Sequence, residues 1–288
     1  MNSIGHSPSL DAPAASTVEG PRREKSTTPR LRNSLLTRII GSWAGYVQGD
    51  TLVLDRWLWI RHRLPRTRNG ERLLDVGCGS GAFTIGSALR GYAALGLTWN
   101  DAETNKAQQR ATLCKATQAG FETCDVRRLD QPAHLQRAFD YVICCENIEH
   151  VIDDRKLFRD AAGVLREGGR LLLTTPNYHY RPMDTGDLGP FSKVENGSHV
   201  RRGYSRGQLV ELCEKSGFIV EEISYCSGFF SQKITSFLRL FYRRGYPVAW
   251  VLTLPLRPFI PMADRLVAAL SGYPGYSICL EAIKRKAP

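Results

Sequence analysis

Two clusters of residues have the types and spacing to do chemistry. Residues 73–81 read Leu-Leu-Asp-Val-Gly-Cys-Gly-Ser-Gly, an apolar run that enters three closely spaced glycines before a helical stretch from Ala82. Glycines let a backbone approach a ligand closely, and the helix N-terminus that follows favours a negative group. The G-x-G-x-G spacing is neither the dinucleotide fingerprint G-x-G-x-x-G nor a Walker loop, which would need a Lys-Ser/Thr. The second cluster is Cys144-Cys145-Glu146-Asn147-Ile148-Glu149-His150. A helix starting near Asn147 would put Glu146, Glu149 and His150 at i, i+3 and i+4, as one group. Two carboxylates and an imidazole could hold a divalent metal such as Mg2+, which would lower the pKa of a bound hydroxyl. Alternatively, His150 or Glu146 alone could act as general base.

Both clusters need a scaffold that brings them to one place. Strand-like runs at Arg72–Val76, Ala93–Thr98, Phe121–Asp125, Tyr141–Cys145, Arg170–Thr175 and Phe218–Cys226 alternate with helical patterns at about 80–90, 101–118, 147–166 and 205–217. The stretch 147–166 is the clearest helix, with Ile148, Val151, Ile152, Phe158, Ala161, Ala162 and Leu165 on one face and Gly168-Gly169 as its terminator. The alternation predicts an α/β fold with a doubly wound, mostly parallel sheet. Ser277–Lys284 reads as a last, antiparallel strand beside Phe218–Cys226. In open sheets of this kind ligands bind at the C-terminal ends of the strands, where both clusters fall.

The remaining segments divide by composition. Residues 1–30, rich in Pro, Ser and Thr, read as a flexible tail, and 31–69 as a helical cap. The main domain covers 70–228 and 273–288, leaving 229–272 as a helical insertion before the last strand. Within it Ile234, Phe237, Leu238 and Phe241 fall at i, i+3, i+4 and i+7, while Lys233, Arg239, Arg243 and Arg244 lie off that stripe. This predicts an amphipathic basic helix. The loop 176–204, with Asn177, Tyr178, His179, Tyr180, Asp187, Glu195 and His199, is long enough to be a substrate-contacting flap.

Composition excludes several classes. A hydrophobic content of 42% excludes wholesale disorder. No uncharged apolar stretch reaches 18 residues, which speaks against a membrane-spanning helix. The first 30 residues lack a secretory pattern and the eight cysteines include no C-x-x-C pair, so reduced thiols and a cytoplasmic location are expected. The net charge of +11 is unevenly spread: 11 basic and 5 acidic residues in 1–70, 19 and 21 in 71–228, and 9 and 2 in 229–288. Basic charge interleaved with apolar helices suits a small hydrophobic or amphiphilic acceptor and peripheral contact with an anionic membrane better than it suits nucleic acid.

On its glycine loop the chain resembles the class I S-adenosylmethionine-dependent methyltransferases, over roughly residues 70–228 plus the last strand. The resemblance implies a Rossmann-like fold and S-adenosyl-L-methionine as cofactor. It assigns Asp75, Gly77, Cys78, Gly79 and Gly81 to the methionine portion, Asp125 and Val126 to the adenine, and Cys145 to the cofactor site. Thr98 stands where the family's second strand usually ends in a ribose-binding acid; Thr98, Asn100 or Asp101 could supply that contact. E-x-x-E-H resembles metal-dependent members, namely the ubiquinone-biosynthesis O-methyltransferases and the small-RNA 3′-end 2′-O-methyltransferases. The latter share Thr174–Asn177 and imply a further histidine at His199, ahead of Tyr204-Ser205. The implied metal set is Glu146, Glu149, His150 and His199. O-methylation of a small hydrophobic or lipid-like acceptor is the preferred expectation; ribose methylation of RNA and cofactor binding without catalysis are the alternatives.

Overall fold

The apolar runs of the central strands are buried on both faces, which places them inside the sheet. The computed structural model describes residues 37–47, 51–241 and 246–286, and the tail 1–30 lies outside them. Strands β1 (Arg72–Val76), β2 (Ala93–Thr98), β3 (Ala119–Thr123), β4 (Phe139–Cys145), β5 (Leu165–Pro176), β6 (Phe218–Cys226) and β7 (Ser277–Lys284) form one seven-stranded sheet. Its order is β3-β2-β1-β4-β5-β7-β6, parallel except for β7, which runs antiparallel to both neighbours. Successive residues alternate between faces. Leu74, Val142 and Leu171 enter one core with Phe158, Leu209 and Phe218, whereas Leu73, Ile143 and Leu172 enter another with Trp57, Ile60 and Ile85.

Helices α1 (Trp43–Val47), α2 (Thr51–Arg63), α3 (Ala82–Ala88), α4 (Asp101–Leu113), α5 (Asp154–Val164) and α6 (Arg206–Lys215) cover these faces. Their starts follow local chemistry: Asn100 and Asp153 cap α4 and α5 through their side chains, and Ser205 forms a capping box with Gln208 at α6. Tyr46 stacks on Trp57 at 4.8 Å, fastening α1 and α2 together.

Four expectations are corrected. The helix read at 147–166 starts only at Asp154; Glu146 has φ +48° and Ile148–His150 is a single 3-10 turn. The Asp153 side chain takes the Lys156 amide, so the cap sits seven residues later than the apolar pattern suggests. Gly168-Gly169 does not end that helix, which stops at Val164; the pair lies inside β5, where pairing with β4 jumps from Leu165 to Arg170. The helix read at 101–118 ends at Leu113, and β3 lies two residues earlier than expected because Asp125 caps the turn Val126–Arg128.

The insertion holds α7 (Phe229–Leu240), α8 (Tyr246–Thr253) and α9 (Ile260–Ser271). The fully buried residues of α7 are Ser231, Gln232, Thr235 and Leu238 rather than the whole expected stripe. Polar contacts with α2 decide this: Thr51 donates to the Ser231 carbonyl (3.0 Å), and the Thr51 and Thr235 hydroxyls lie 3.2 Å apart. Phe237 and Phe241 are consequently left partly in solvent.

Candidate active site

The loop after β1 is shaped by backbone that only glycine adopts readily. Gly77, Gly79 and Gly81 have φ of +75°, +51° and +80°. A Cβ on Gly77 would lie 2.1 Å from Asn147 Nδ2, which donates to the Val76 carbonyl at 3.0 Å. The turn after β4 therefore clamps the loop after β1. A Cβ on Gly79, by contrast, would meet open space, so the loop crest has room for a ligand. Asp75 lies beneath, buried, accepting from Thr84 Oγ1 at 2.7 Å; burial pushes its carboxyl up to about 7. Cys78 donates its amide to Leu97 O, and its thiol is raised by burial.

The strand ends beyond the loop sort the ribose candidates. Thr98 is buried and its hydroxyl pairs with Thr104, which continues to Thr123 (2.8 Å) and from there to Asp101 (2.6 Å). Asn100 is occupied in capping α4. Asp101 is the exposed acid of the group. Asp125 receives Arg127 Nε at 2.8 Å and Nη2 at 2.7 Å, and these contacts hold its carboxyl below the usual range. Arg127 also lies over the Trp99 ring and reaches Glu195 at 2.7 Å. Glu195 in turn accepts the Ile152 amide, so the loop 176–204 is fastened to the turns after β3 and β4. Val126 is buried behind this pair. Arg127, Trp99 and Glu195 carried no motif, so sequence reasoning missed them as a unit.

At the end of β4 the acidic cluster splits in two. Glu146 accepts from Thr174 Oγ1 (3.0 Å) and Ser277 Oγ (3.2 Å), and pairs with Arg56 Nη2 at 3.0 Å. Arg56 comes from α2 and is 8% exposed, with Nε on Ser277 Oγ at 3.1 Å. Its signal was a basic residue on the same helical face as Leu52 and Trp59, easily read as a snorkelling surface arginine. Cys145 sits beside Thr174 with its thiol raised well up by burial.

Glu149, His150 and His199 form the other half. Glu149 is 0% exposed; Oε2 accepts from Thr175 Oγ1 at 3.1 Å, and burial, with the Glu146 charge adding, raises its carboxyl well above the ordinary range. Its Oε1 and the Nδ1 of His150 are buried without a hydrogen-bond partner. The His150 and His199 rings meet edge to face at 4.7 Å, and burial together with His150 lowers His199 to about 4. One ligand atom from each of the three lies within 4.8 Å of the others. The structure thus brings three of the four metal candidates together and places Glu146 with Arg56 instead. The left-handed Glu146 and the short turn after it, rather than a regular helix, cause that separation.

The loop 176–204 also meets the insertion. Tyr180 and Tyr276 pack at 4.7 Å with Leu52 and Met183, and Arg239 of α7 pairs with Asp184 (2.6 Å) and Asp187 (3.2 Å) of the flap.

A family model described as a methyltransferase domain matches residues 53–223. The chain belongs to the S-adenosylmethionine-dependent methyltransferases. The methyltransferase is 32% identical over 159 residues to a ubiquinone biosynthesis O-methyltransferase of Marinobacter nauticus, covering 54% of this chain and 66% of that one. It is 25% identical over 162 residues to the Coxiella burnetii protein of the same name, covering 55% and 68%. Roughly a third of each relative thus lies outside the match. In fold it is similar to a Haemonchus contortus phosphoethanolamine N-methyltransferase 2 (TM-score 0.60, 18% identity, 86% of this chain and 57% of that one). A geranyl diphosphate C-methyltransferase from Streptomyces coelicolor is also similar (TM-score 0.52, 15% identity, 80% and 75%). Enzymes named for nitrogen and carbon acceptors share this fold, so the methyltransferase's acceptor must be argued from its own site.

Proposed function

We propose that this methyltransferase moves the methyl group of S-adenosyl-L-methionine to a hydroxyl oxygen of a small, apolar, lipid-like acceptor. The observation that carries the reading is the pair of imidazoles beside the buried Glu149, next to Glu146–Arg56 and under the Tyr180–Tyr276 wall. The relatives' names, ubiquinone biosynthesis O-methyltransferase, support oxygen as the acceptor atom.

The sulfonium of the bound cofactor activates the methyl carbon; the chain's task is alignment and removal of the acceptor proton. The glycine crest and the buried Asp75–Thr84 brace hold the loop that receives the methionine portion. His199, depressed by burial, stays neutral near pH 7 and can offer its lone pair to a metal without first losing a proton. His150, packed against it, is the general base in a metal-free route, and Arg56 keeps Glu146 oriented toward the same chamber. The orphaned Glu149 Oε1 and His150 Nδ1 fit a divalent cation, which Glu149, His150 and His199 would hold. Such an ion would lower the pKa of the acceptor hydroxyl. The Tyr180–Tyr276 wall suits an acceptor that partitions into lipid, so the enzyme is read as a cytoplasmic protein that meets its acceptor at a membrane surface.

The reading is tested by incubating the protein with methyl-labelled S-adenosylmethionine and an organic extract of cell membranes. Label in an alkali-stable methyl ether supports it. Label only in RNA, with salt-sensitive RNA binding, would establish the ribose reading instead.

A further inference from the structure

Exposed large apolar side chains are not spread evenly over the molecule. Twelve lie between Phe230 and Leu270, against eleven in the rest of the described residues. They follow helical spacing on each of three helices. On α7, Phe237, Leu240 and Phe241 face out; on α8 and the turn after it, Val248, Val251, Leu252 and Leu256 do; on α9, Phe259 at its start leads to Met262, Leu266 and Leu270. Leu240 and Leu270 are each 79% exposed. α7 packs on both α8 and α9, so the three stripes belong to one helical layer. That layer continues into the N-terminal segment, where Trp250 Nε1 (2.8 Å) and Arg257 Nη1 (2.5 Å) donate to the Val47 carbonyl and Ile39, Ile40 and Trp43 are also exposed.

Charge on this layer has one sign. The single acid in residues 229–272 is Asp264, buried and committed to the N-terminus of α7, where it accepts from the Gly228, Phe230 and Ser231 amides (3.0, 2.6 and 3.2 Å). Lys233 and Arg265 are exposed beside the stripes, and Arg243 and Arg244 follow α7 in the sequence. An apolar surface of this extent is rarely left to water. With cations at its margin and no exposed acid among its described residues, it complements an anionic lipid surface. A second copy docking face to face would instead oppose two basic surfaces.

We propose that α7, α8 and α9 form a membrane-docking face that lies in the headgroup region of an anionic bilayer. α7 also carries Arg239, the residue tied to Asp184 and Asp187 of the flap, so docking would set the roof of the acceptor chamber against the lipid. The proposal stands on this surface and does not require the acceptor reading above.

The test is cosedimentation of the full chain with vesicles of phosphatidylcholine alone and of an equal mixture with phosphatidylglycerol. The expected result is at least about tenfold tighter binding to the anionic vesicles. Leu266→Asp/Leu270→Asp on α9 and, separately, Leu252→Asp/Leu256→Asp near α8 should each weaken that binding by about tenfold or more. S-adenosylmethionine affinity, measured by calorimetry, should stay at the wild-type value in both, which shows the variants folded and keeps this result separate from the function reading. Absence of vesicle binding, binding that both folded variants retain, or a dimer that the same substitutions dissociate would overturn the proposal.

Discussion

Arg56 and Glu146 meet at 3.0 Å at the edge of the candidate site, one from the helix before the first strand and the other from the turn after the fourth. The helix before β1 thus contributes a charged group to the candidate site. Both side chains are largely withdrawn from water, so removal of one leaves the other charge uncompensated. Arg56→Ala should destabilise the fold by about 3 kcal/mol in urea titrations. Arg56→Lys keeps the charge but cannot span Glu146 and Ser277 together, and should retain stability better than activity.

The two glycines of the loop should fail differently. Gly77→Ala drives a methyl into the Asn147 amide and should cost both stability and cofactor affinity. Gly79→Ala meets nothing in the protein, so its stability loss should stay at about 1–2 kcal/mol, the cost of its left-handed backbone. Its S-adenosylmethionine affinity should nonetheless fall by about tenfold or more, because the added methyl occupies ligand space. Calorimetry and thermal melts on the two variants check this; equal effects on both readouts would contradict the assignment of the crest.

A pH dependence follows from the contact between α2 and the insertion. Ser231 Oγ lies 2.6 Å from both Asp55 and Asp264, yet one hydroxyl has one proton to donate. Burial raises Asp55 to about 6, with Asp264 adding to the rise and Ser231, Ser227 and Arg56 opposing it. A carboxyl raised above its unfolded value stabilises the fold when protonated, and that contribution is lost as pH climbs from about 4 through about 6. The stability of Asp55→Asn relative to wild type should therefore rise by roughly 3 kcal/mol between pH 4 and pH 8. Urea midpoints at the two pH values give the comparison, and a flat difference would mean that burial does not raise Asp55.

The histidine pair yields a prediction that does not depend on turnover. His199, held near 4, withdraws stability as pH falls below the ordinary histidine value of about 6.5, since protons then favour the unfolded chain. His199→Gln should flatten this part of the profile. If the trio binds Mg2+ or a similar ion, millimolar metal should raise the melting temperature of the wild type and not of Glu149→Gln. No shift with any divalent ion, together with activity that survives a chelator, would leave His150 as a general base acting without metal.

The seven strands were readable because most contain a short apolar run between turn residues, and the central ones are covered on both faces. The glycine loop was equally plain, since glycine alone adopts its three left-handed positions without cost. Periodicity misled at 147–166: Ile148 and Val151 are indeed buried, but in a 3-10 turn and the segment after it, and burial there imitates a helical stripe. It misled again on α7, where hydroxyl contacts from α2 selected Ser231 and Thr235 as the buried face over two phenylalanines. Arg56, Arg127 and Glu195 could not be read in advance, because each acquires its role from a partner distant in sequence.

In the proposed reaction His150 and its neighbours take the proton from the acceptor hydroxyl as the methyl group arrives. The direct measurement is transfer of label from methyl-labelled S-adenosylmethionine into a membrane-lipid extract, comparing the wild type with His150→Ala. Labelled methyl ether is expected with the wild type, and a loss of about 100-fold or more in rate with His150→Ala, while cofactor affinity is unchanged. Equal rates for the two proteins, or label found only on nitrogen or carbon, would contradict the proposed reaction.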